Sequence, residues 1–320
     1  MKKQIILYLI TIFIVFLCQA IQAQVLEAEE LVVSGADSKK IDKFADKDNS
    51  QKISQIIASL KEKAQQGDVL SQGSLGMIYA EGLGIRQNYK EAIKWWLKAA
   101  SQNDIGSQNN LGWSYENGLG VSINEKEAIY WYEKAASQGY IKAQLNAGAL
   151  YNYSKTVGNQ EKAFYWNMQA AKQGDPEAKF IISNRYFNGV GCEKNKKLGL
   201  QWLIDAANNE YAEAQFILAT KYFAGEDVPG SLEQAFKFYL KAAHHDLAPA
   251  QQLVGMMYFD GLGVKQNKTK AAKWYLKAAK QDMREAQYKL AVMYENGDGV
   301  PKNKDAALKW YRKAAEAQNS

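Results

Sequence analysis

Cysteine, histidine and proline are scarce in this chain. Its 320 residues include 2 cysteines, 4 prolines and 2 histidines, the adjacent His244 and His245. Cys18 lies in an apolar N-terminal segment, so removal of that segment would leave only Cys192 and no disulfide within the chain. Cys192 follows two glycines in a predicted loop, where we interpret it as a tolerated small residue rather than a reactive thiol. Two histidines in a turn are too few for a zinc site, which needs three or four converging ligands.

Motifs of several catalytic classes are also missing. The sequence has no Ser-x-x-Lys, no Lys-Thr-Gly and no His-Glu-x-x-His, so serine β-lactamase, penicillin-binding and zinc-protease sites are not expected. A stretch from Asp46 begins like a calcium loop, but Gln51 and Ile57 stand where that loop needs a glycine and a bidentate carboxylate. The Gly-x-Gly pairs lack the remainder of a phosphate-binding motif. We therefore predict no catalytic residue, no metal and no cofactor, and a non-enzymatic protein.

The basic residues are not concentrated in one place. The formal net charge is +6, and many lysines recur at similar positions in predicted helices, as a solvated face would require. Nucleic-acid binding would need a concentrated basic stripe with aromatic residues for stacking. We therefore predict no nucleic-acid partner.

The N-terminus resembles an export signal. Lys2 and Lys3 precede an apolar run from Ile5 to Leu17, which small residues Ala20 and Ala23 follow. The run is shorter than the roughly 20 apolar residues that a spanning helix needs, so a cleaved signal peptide at 1–23 is favoured over a membrane anchor. Residues 24–52 are polar and read as a flexible linker. We expect a periplasmic or secreted protein without a membrane span.

Most of the chain is one repeated segment. A tyrosine and a pair of alanines each recur seven times, at intervals of 36 residues except for one interval of 35. A fixed period of this length is typical of a solenoid. The tyrosines are Tyr79, Tyr115, Tyr151, Tyr186, Tyr222, Tyr258 and Tyr294, and the first alanines of the pairs are Ala99, Ala135, Ala170, Ala206, Ala242, Ala278 and Ala314.

Each repeat reads as two helices joined by a glycine-bearing loop. In the last copy Ala286, Leu290 and Tyr294 lie four apart on one helical stripe, glycines follow, and Trp310 and Tyr311 belong to a second helical pattern. One such pair cannot bury its apolar face, but a stack can. We predict an all-α solenoid in which residues 53–68 form an N-terminal capping helix. The seven predicted repeats are 69–104, 105–140, 141–175, 176–211, 212–247, 248–283 and 284–319.

The repeated motif carries a family resemblance. The pattern Ala-Gln-x-x-Leu/Val-x-x-x-Tyr-x-x-Gly-x-Gly-Val, then Ala-x-x-Trp-Tyr-x-Lys-Ala-Ala-x-Gln, resembles the Sel1-like repeat, a relative of the tetratricopeptide repeat. The resemblance extends from about Ile53 to the end. It implies a right-handed α-superhelix that holds other proteins.

Two repeats depart from the pattern. The third repeat has Tyr153, Ser154, Lys155 and Thr156 in place of its glycine loop and is one residue short, so we expect a local change of superhelical twist. The fifth has Asp227 for its second glycine. After the last repeat no polar capping helix follows, so the face of its second helix is a candidate for self-association or for a partner.

A partner surface is predicted on the first helix of each repeat. Three positions, separated by four and then three residues, lie opposite the Ala, Leu and Tyr stripe, and we call them the first-helix face. In tetratricopeptide-like stacks this side lines the concave groove. These side chains could either form a hydrophobic strip for a peptide or helix, or pack against neighbouring first helices. The candidate residues are Trp113, Phe180, Phe187, Phe216, Phe223, Met256, Phe259 and Tyr288.

The favoured function is therefore a non-enzymatic interaction scaffold in the periplasm or outside the cell. Two alternatives stay open. One is a cell-wall-related enzyme or one that binds or hydrolyses β-lactams, which only activities reported for relatives suggest. The other is a secreted factor that binds host proteins. Groove residues by themselves do not name a ligand.

Overall fold

The computed structural model describes residues 47–316. Its regular elements in this range are fifteen α-helices, without a strand. Helix α1 spans Lys47–Gln65, and seven pairs follow: α2 Val69–Glu81 with α3 Tyr89–Ser101, α4 Ile105–Asn117 with α5 Glu125–Ser137, α6 Ile141–Tyr153 with α7 Gln160–Lys172, α8 Pro176–Asn188 with α9 Lys196–Asn208, α10 Ala212–Ala224 with α11 Leu232–His244, α12 Ala248–Asp260 with α13 Lys268–Lys280, and α14 Arg284–Asn296 with α15 Lys304–Glu316. The predicted all-α solenoid of helix pairs is confirmed.

The N-terminal helix is longer than the predicted one. It begins at Lys47, inside the stretch predicted to be a linker, and ends at Gln65 instead of 68. Residues 47–52 contain neither glycine nor proline, so nothing in them interrupts helix propagation. Helix α1 thus overlaps the last six residues of the predicted linker. The predicted signal peptide and the remainder of the linker lie outside the described residues.

The described chain divides into two units by its internal contacts. The first comprises the residues up to Asn146 together with Ser154–Val157, and the second comprises Ala147–Tyr153 and the residues from Gly158 onwards. Each unit has its own buried apolar core, built mainly from alanine, leucine and aromatic side chains of consecutive helices.

A glycine and an asparagine set the boundaries of the helices within a repeat. In the second repeat Gly118 ends α4 with φ 71°, and its backbone N–H donates to Ser114 O. Asn124 then caps α5, where its side chain accepts hydrogen bonds from the N–H groups of Lys126 and Glu127. Left-handed backbone angles favour glycine, and asparagine is among the best N-cap residues. This chemistry explains why these residue types recur with the period of the repeat.

A buried glutamine on the first helix connects neighbouring repeats. The Gln72 Nε2 donates to the carbonyl oxygen of Ala64 at 3.0 Å, and the Gln72 Oε1 accepts from Gln102 Nε2 at 2.9 Å. Gln251 and Gln281 form the same side-chain pair at 2.9 Å. Buried amides need such partners, because an unpaired buried amide costs about 1–3 kcal/mol. The glutamines therefore fix how successive helices meet.

The fourth repeat replaces this glutamine with a lysine. Lys179 is 8% exposed, and its Nζ lies 2.9 Å from Asp205 Oδ2 on α9. A buried ammonium group needs a nearby opposite charge, so an ion pair with α9 takes the place of the amide pair, and both kinds of pair lie within a single repeat.

The second loop glycine allows two backbones to meet, and the irregular repeats replace it with polar contacts. A Cβ on Gly120 would lie 2.7 Å from the carbonyl carbon of Tyr89, the first residue of α3. In the third repeat the Ser154 hydroxyl donates to Glu125 at the start of α5, at 2.9 Å. In the fifth, Asp227 is 3.3 Å from Lys196 at the start of α9. The loop thus meets the preceding second helix in either case, and a change of twist at the third repeat stays a prediction.

Candidate partner-binding site

The eight candidate residues lie on first helices in both units. Trp113 belongs to α4 in the first unit. The other seven belong to the second unit, on α8, α10, α12 and α14. Their exposure separates them into two groups, one half-buried and one exposed. The sequence alone had left open, for each residue, whether it packs against neighbouring helices or faces a ligand.

The larger group is half-buried and packs against the core of the second unit. The ring of Phe216 meets that of Tyr239 edge-on with centroids 5.4 Å apart, and Phe180 lies at the same separation from Tyr211. Such aromatic pairs contribute about 0.5–1.5 kcal/mol beyond the burial of their area. These side chains therefore act mainly in packing. The members of this group are Phe180, Phe187, Phe216, Met256 and Phe259.

Two members of that group are also covered by lysines. Lys221 Nζ lies 4.5 Å from the ring centroid of Phe187, and Lys268 Nζ lies 5.1 Å from that of Phe259. Lys221 is fixed by Asp227 at 2.7 Å, and its hydrogen bond lowers the pKa of that carboxyl group. Cations over aromatic faces are attracted to the negative face of the ring. The lysines thus cover part of the surface that a ligand would need.

Three candidates are exposed: Trp113 at 42%, Phe223 at 42% and Tyr288 at 48%. The ring of Trp113 is tilted against Tyr89 at a centroid distance of 6.5 Å, and that of Tyr288 lies 5.7 Å from Tyr311. Each has ring edges and faces left to contact a partner. Aromatic side chains of this kind are enriched at the anchoring points of protein interfaces.

Two exposed apolar residues of α2 were not among the candidates predicted from the sequence. Leu70 is 48% exposed and Met77 is 44% exposed, both on α2. Met77 occupies the same repeat position as Trp113, 36 residues earlier. The period of the repeat could therefore have identified Met77 as a residue of the first-helix face.

The remaining predicted sites show ordinary surroundings. Cys192 is half-buried, and burial raises the pKa of its thiol while the charge of Arg185 acts in the opposite direction. His244 packs edge-on against Trp274 at 5.3 Å. Among residues 47–316 there is no group of three or more side chains that could hold a metal ion. None of the helices in that range is long and apolar enough to cross a membrane.

Comparisons with known proteins agree with the geometry of the repeats. The family model described as the Sel1 repeat matches residues 69–104, 105–140, 141–175, 176–211, 212–247, 248–283 and 284–319, the intervals that the period predicts. A comparison with curated proteins gives no match.

Two crystal structures are similar. A Sel1 repeat protein from Oxalobacter formigenes has 33% identity and a TM-score of 0.73, over 94% of this chain and 84% of that one. A protective antigen present in uropathogenic Escherichia coli strains has 30% identity and a TM-score of 0.77, over 82% of this chain. This chain spans 56% of the length of that antigen. Sel1 repeat scaffolds generally serve as protein-interaction modules. With seven matched repeats covering most of its length, the chain belongs to the Sel1 repeat family.

Proposed function

We propose that this protein is an exported scaffold that binds a protein or peptide partner through its first-helix face. The observation that carries the proposal is the exposure of Phe223 and Tyr288 on first helices of the second unit, while their neighbours at equivalent positions pack inward. An aromatic ring left half in water on a rigid helix contributes apolar area to a partner at a small cost in side-chain entropy. The pattern of Lys2, Lys3 and the apolar run that follows them supports export.

The binding test uses a matched pair of variants. The protein with Phe223→Ser and Tyr288→Ser, and the natural sequence, are each used to capture partners by crosslinking in the native cell. We expect the double variant to lose specific partners. Tyr165→Ser is the control, since Tyr165 is 53% exposed but lies on a second helix. Partner recovery that is equal for all three proteins would contradict the proposal.

Export has its own test. We expect the mature protein to begin shortly after Ala20 or Ala23 and to occur in the periplasm or the medium, as fractionation and N-terminal sequencing would report. A full-length N-terminus on protein in the cytoplasm would contradict export without affecting the binding test.

We also propose self-association through α15. Leu308 there is 50% exposed, although the residues at the same repeat position in earlier second helices, such as Ile93 and Ala272, are buried. Sedimentation of the natural protein and of Leu308→Lys checks this. Equal monomer fractions at all concentrations would exclude it.

A further inference from the structure

An exposed apolar stripe runs over two adjacent first helices of the first unit. Leu70 and Met77 are seven residues apart, about two helical turns, and so lie on the same side of α2. Trp113 occupies on α4 the repeat position that Met77 occupies on α2, and the two helices contact each other. All three side chains are more than 40% exposed.

The charged residues of the two helices that carry this stripe have one sign. Among the 13 residues of α2 the only charged one is Glu81, and among the 13 of α4 it is Glu116. Glu81 is exposed and lies four residues after Met77, on the same side of the helix. Glu116 lies three residues after Trp113 and accepts a hydrogen bond from the hydroxyl of Tyr132. Both helices lack lysine, arginine and histidine, although the chain as a whole has a formal charge of +6.

Three first helices of the second unit, α8, α10 and α14, differ in carrying basic residues. Helix α10 carries Lys221, and α14 carries Arg284 and Lys289 beside its carboxylates. Helix α12 resembles α2 and α4, since its only charged residue is Asp260. The acidic character of α2 and α4 is thus shared by one first helix of the second unit, and it does not follow from the net charge of the protein, which is positive.

We propose that Leu70, Met77 and Trp113, with Glu81 and Glu116 beside them, form a docking surface for a basic amphipathic helix. The apolar face of such a helix would cover the stripe, and its lysines or arginines would meet the two carboxylates. An acidic or anionic partner would bring like charges together without compensation. This inference rests on the proposed function, in which the first helices face a partner. It adds that the partner of the first unit is a basic amphipathic helix.

Synthetic peptides test the charge and the apolar contact separately. The probe is a fluorescein-labelled peptide of about 16 residues, or four helical turns, with leucine and lysine at amphipathic spacing. A second peptide carries glutamate for each lysine, and a third carries glutamine for each leucine. Fluorescence anisotropy with the full mature chain measures their affinities. We expect the first peptide to bind at least about tenfold more tightly than either of the others.

Variants of the protein locate the site. We expect Trp113→Ala to weaken binding of the leucine–lysine peptide at least about tenfold, as removal of a central anchor does. Glu81→Lys should weaken it and reduce its dependence on salt. Tyr165→Ala, on a second helix of the second unit, is the matched control and should leave the affinity unchanged. Thermal unfolding of each variant confirms that the fold is retained, since all the substituted side chains are exposed.

The outcomes separate this inference from the proposed function. Equal affinity for the glutamate peptide, or unchanged binding by Trp113→Ala, would overturn the basic-helix site. If native partners are nevertheless lost on substitution of Phe223 and Tyr288, the scaffold function stands without it. Specific binding of the lysine peptide that depends on Trp113 would support the basic-helix site, even if native partners are still recovered after substitution of Phe223 and Tyr288.

Discussion

The ring of Tyr132 on α5 lies against Gly112 on α4, so closely that a Cβ at residue 112 would be 2.5 Å from the tyrosine Cδ1. Tyr132 is fully buried. The same arrangement recurs in the first repeat, where Trp96 lies against Gly76. The absence of a side chain on one helix thus makes room for a large one on the other, and the close approach of the two helices depends on both.

A methyl group at this contact should destabilise the protein. We expect Gly112→Ala to lower the free energy of unfolding by about 1–3 kcal/mol through overpacking, despite the better helix propensity of alanine. Gly255→Ala is the control, because a Cβ there would lie 3.0 Å from Tyr275 and alanines already occupy this position in two other repeats, at Ala219 and Ala291. The midpoint of urea unfolding reports both variants. Equal losses would show that Tyr132 can move aside.

Two phenylalanines at one repeat position should differ in their effect on stability. Phe187 lies against Gly199 and under Lys221, whereas Phe223 is 42% exposed. We expect Phe187→Ala to cost about 2 kcal/mol, below the 3–5 of a fully buried phenylalanine, and Phe223→Ala to change stability by less than about 0.5 kcal/mol. Thermal unfolding of the two variants side by side measures this. A large loss in Phe223→Ala would place that ring in the core rather than at a binding surface.

The lysine of the fourth repeat should be replaceable by the glutamine of the others. In Lys179→Gln the new amide could donate to the carbonyl of Ala171, as Gln215 does to that of Ala207 at 3.1 Å. We therefore expect a change within about 1 kcal/mol. Removal of only the partner in Asp205→Ala leaves a buried ammonium group, and we expect a larger loss, moderated by solvent because the Asp205 side chain is 50% exposed. A smaller loss in Asp205→Ala than in Lys179→Gln would exclude this account of the ion pair.

One inter-repeat turn contains a strained residue. Glu210 has φ 63°, while Gly139 and Gly174 occupy the corresponding turns of other repeats with positive φ values as well. Left-handed angles cost a residue with a Cβ about 1 kcal/mol or more. We expect Glu210→Gly to raise the free energy of unfolding by a few tenths to about 1 kcal/mol, because relief of the strain exceeds the additional backbone entropy that glycine loses on folding. Differential scanning calorimetry would detect the higher melting temperature, and a lower one would refute the strain.

Stability should fall at alkaline pH through the half-buried Tyr211 and the buried Tyr275. Burial, the largest cause, raises the pKa of Tyr211 from 10.0 to about 12, and burial raises that of Tyr275 further. Above pH 10 the unfolded chain loses these protons before the folded one does, so the free energy of unfolding decreases as pH rises. We expect Tyr275→Phe to make this decrease shallower between pH 10 and 12 than it is in the natural sequence. Identical pH profiles of urea unfolding would contradict the assignment to Tyr275.

The period of the repeat was readable from the sequence because each recurring residue meets a local requirement. Gly118 supplies a left-handed angle, and Asn124 caps the helix that follows. Both requirements depend on a few neighbouring residues of the chain, so residue type and spacing predict helix, loop and helix without knowledge of the stack. The early start of α1 escaped prediction because polar residues such as Lys47 and Asp48 suit a helix as well as a linker.

The tertiary structure alone decided which first-helix side chains face water. Phe187, Phe223 and Phe259 hold the same position in three successive repeats, and a helical projection treats them alike. Their exposure differs because Gly199 and Lys221 around Phe187, and Lys268 over Phe259, come from other helices or from the far end of a loop. A repeating sequence fixes the fold through short-range rules, but the surface open to a partner depends on contacts between segments distant in the chain.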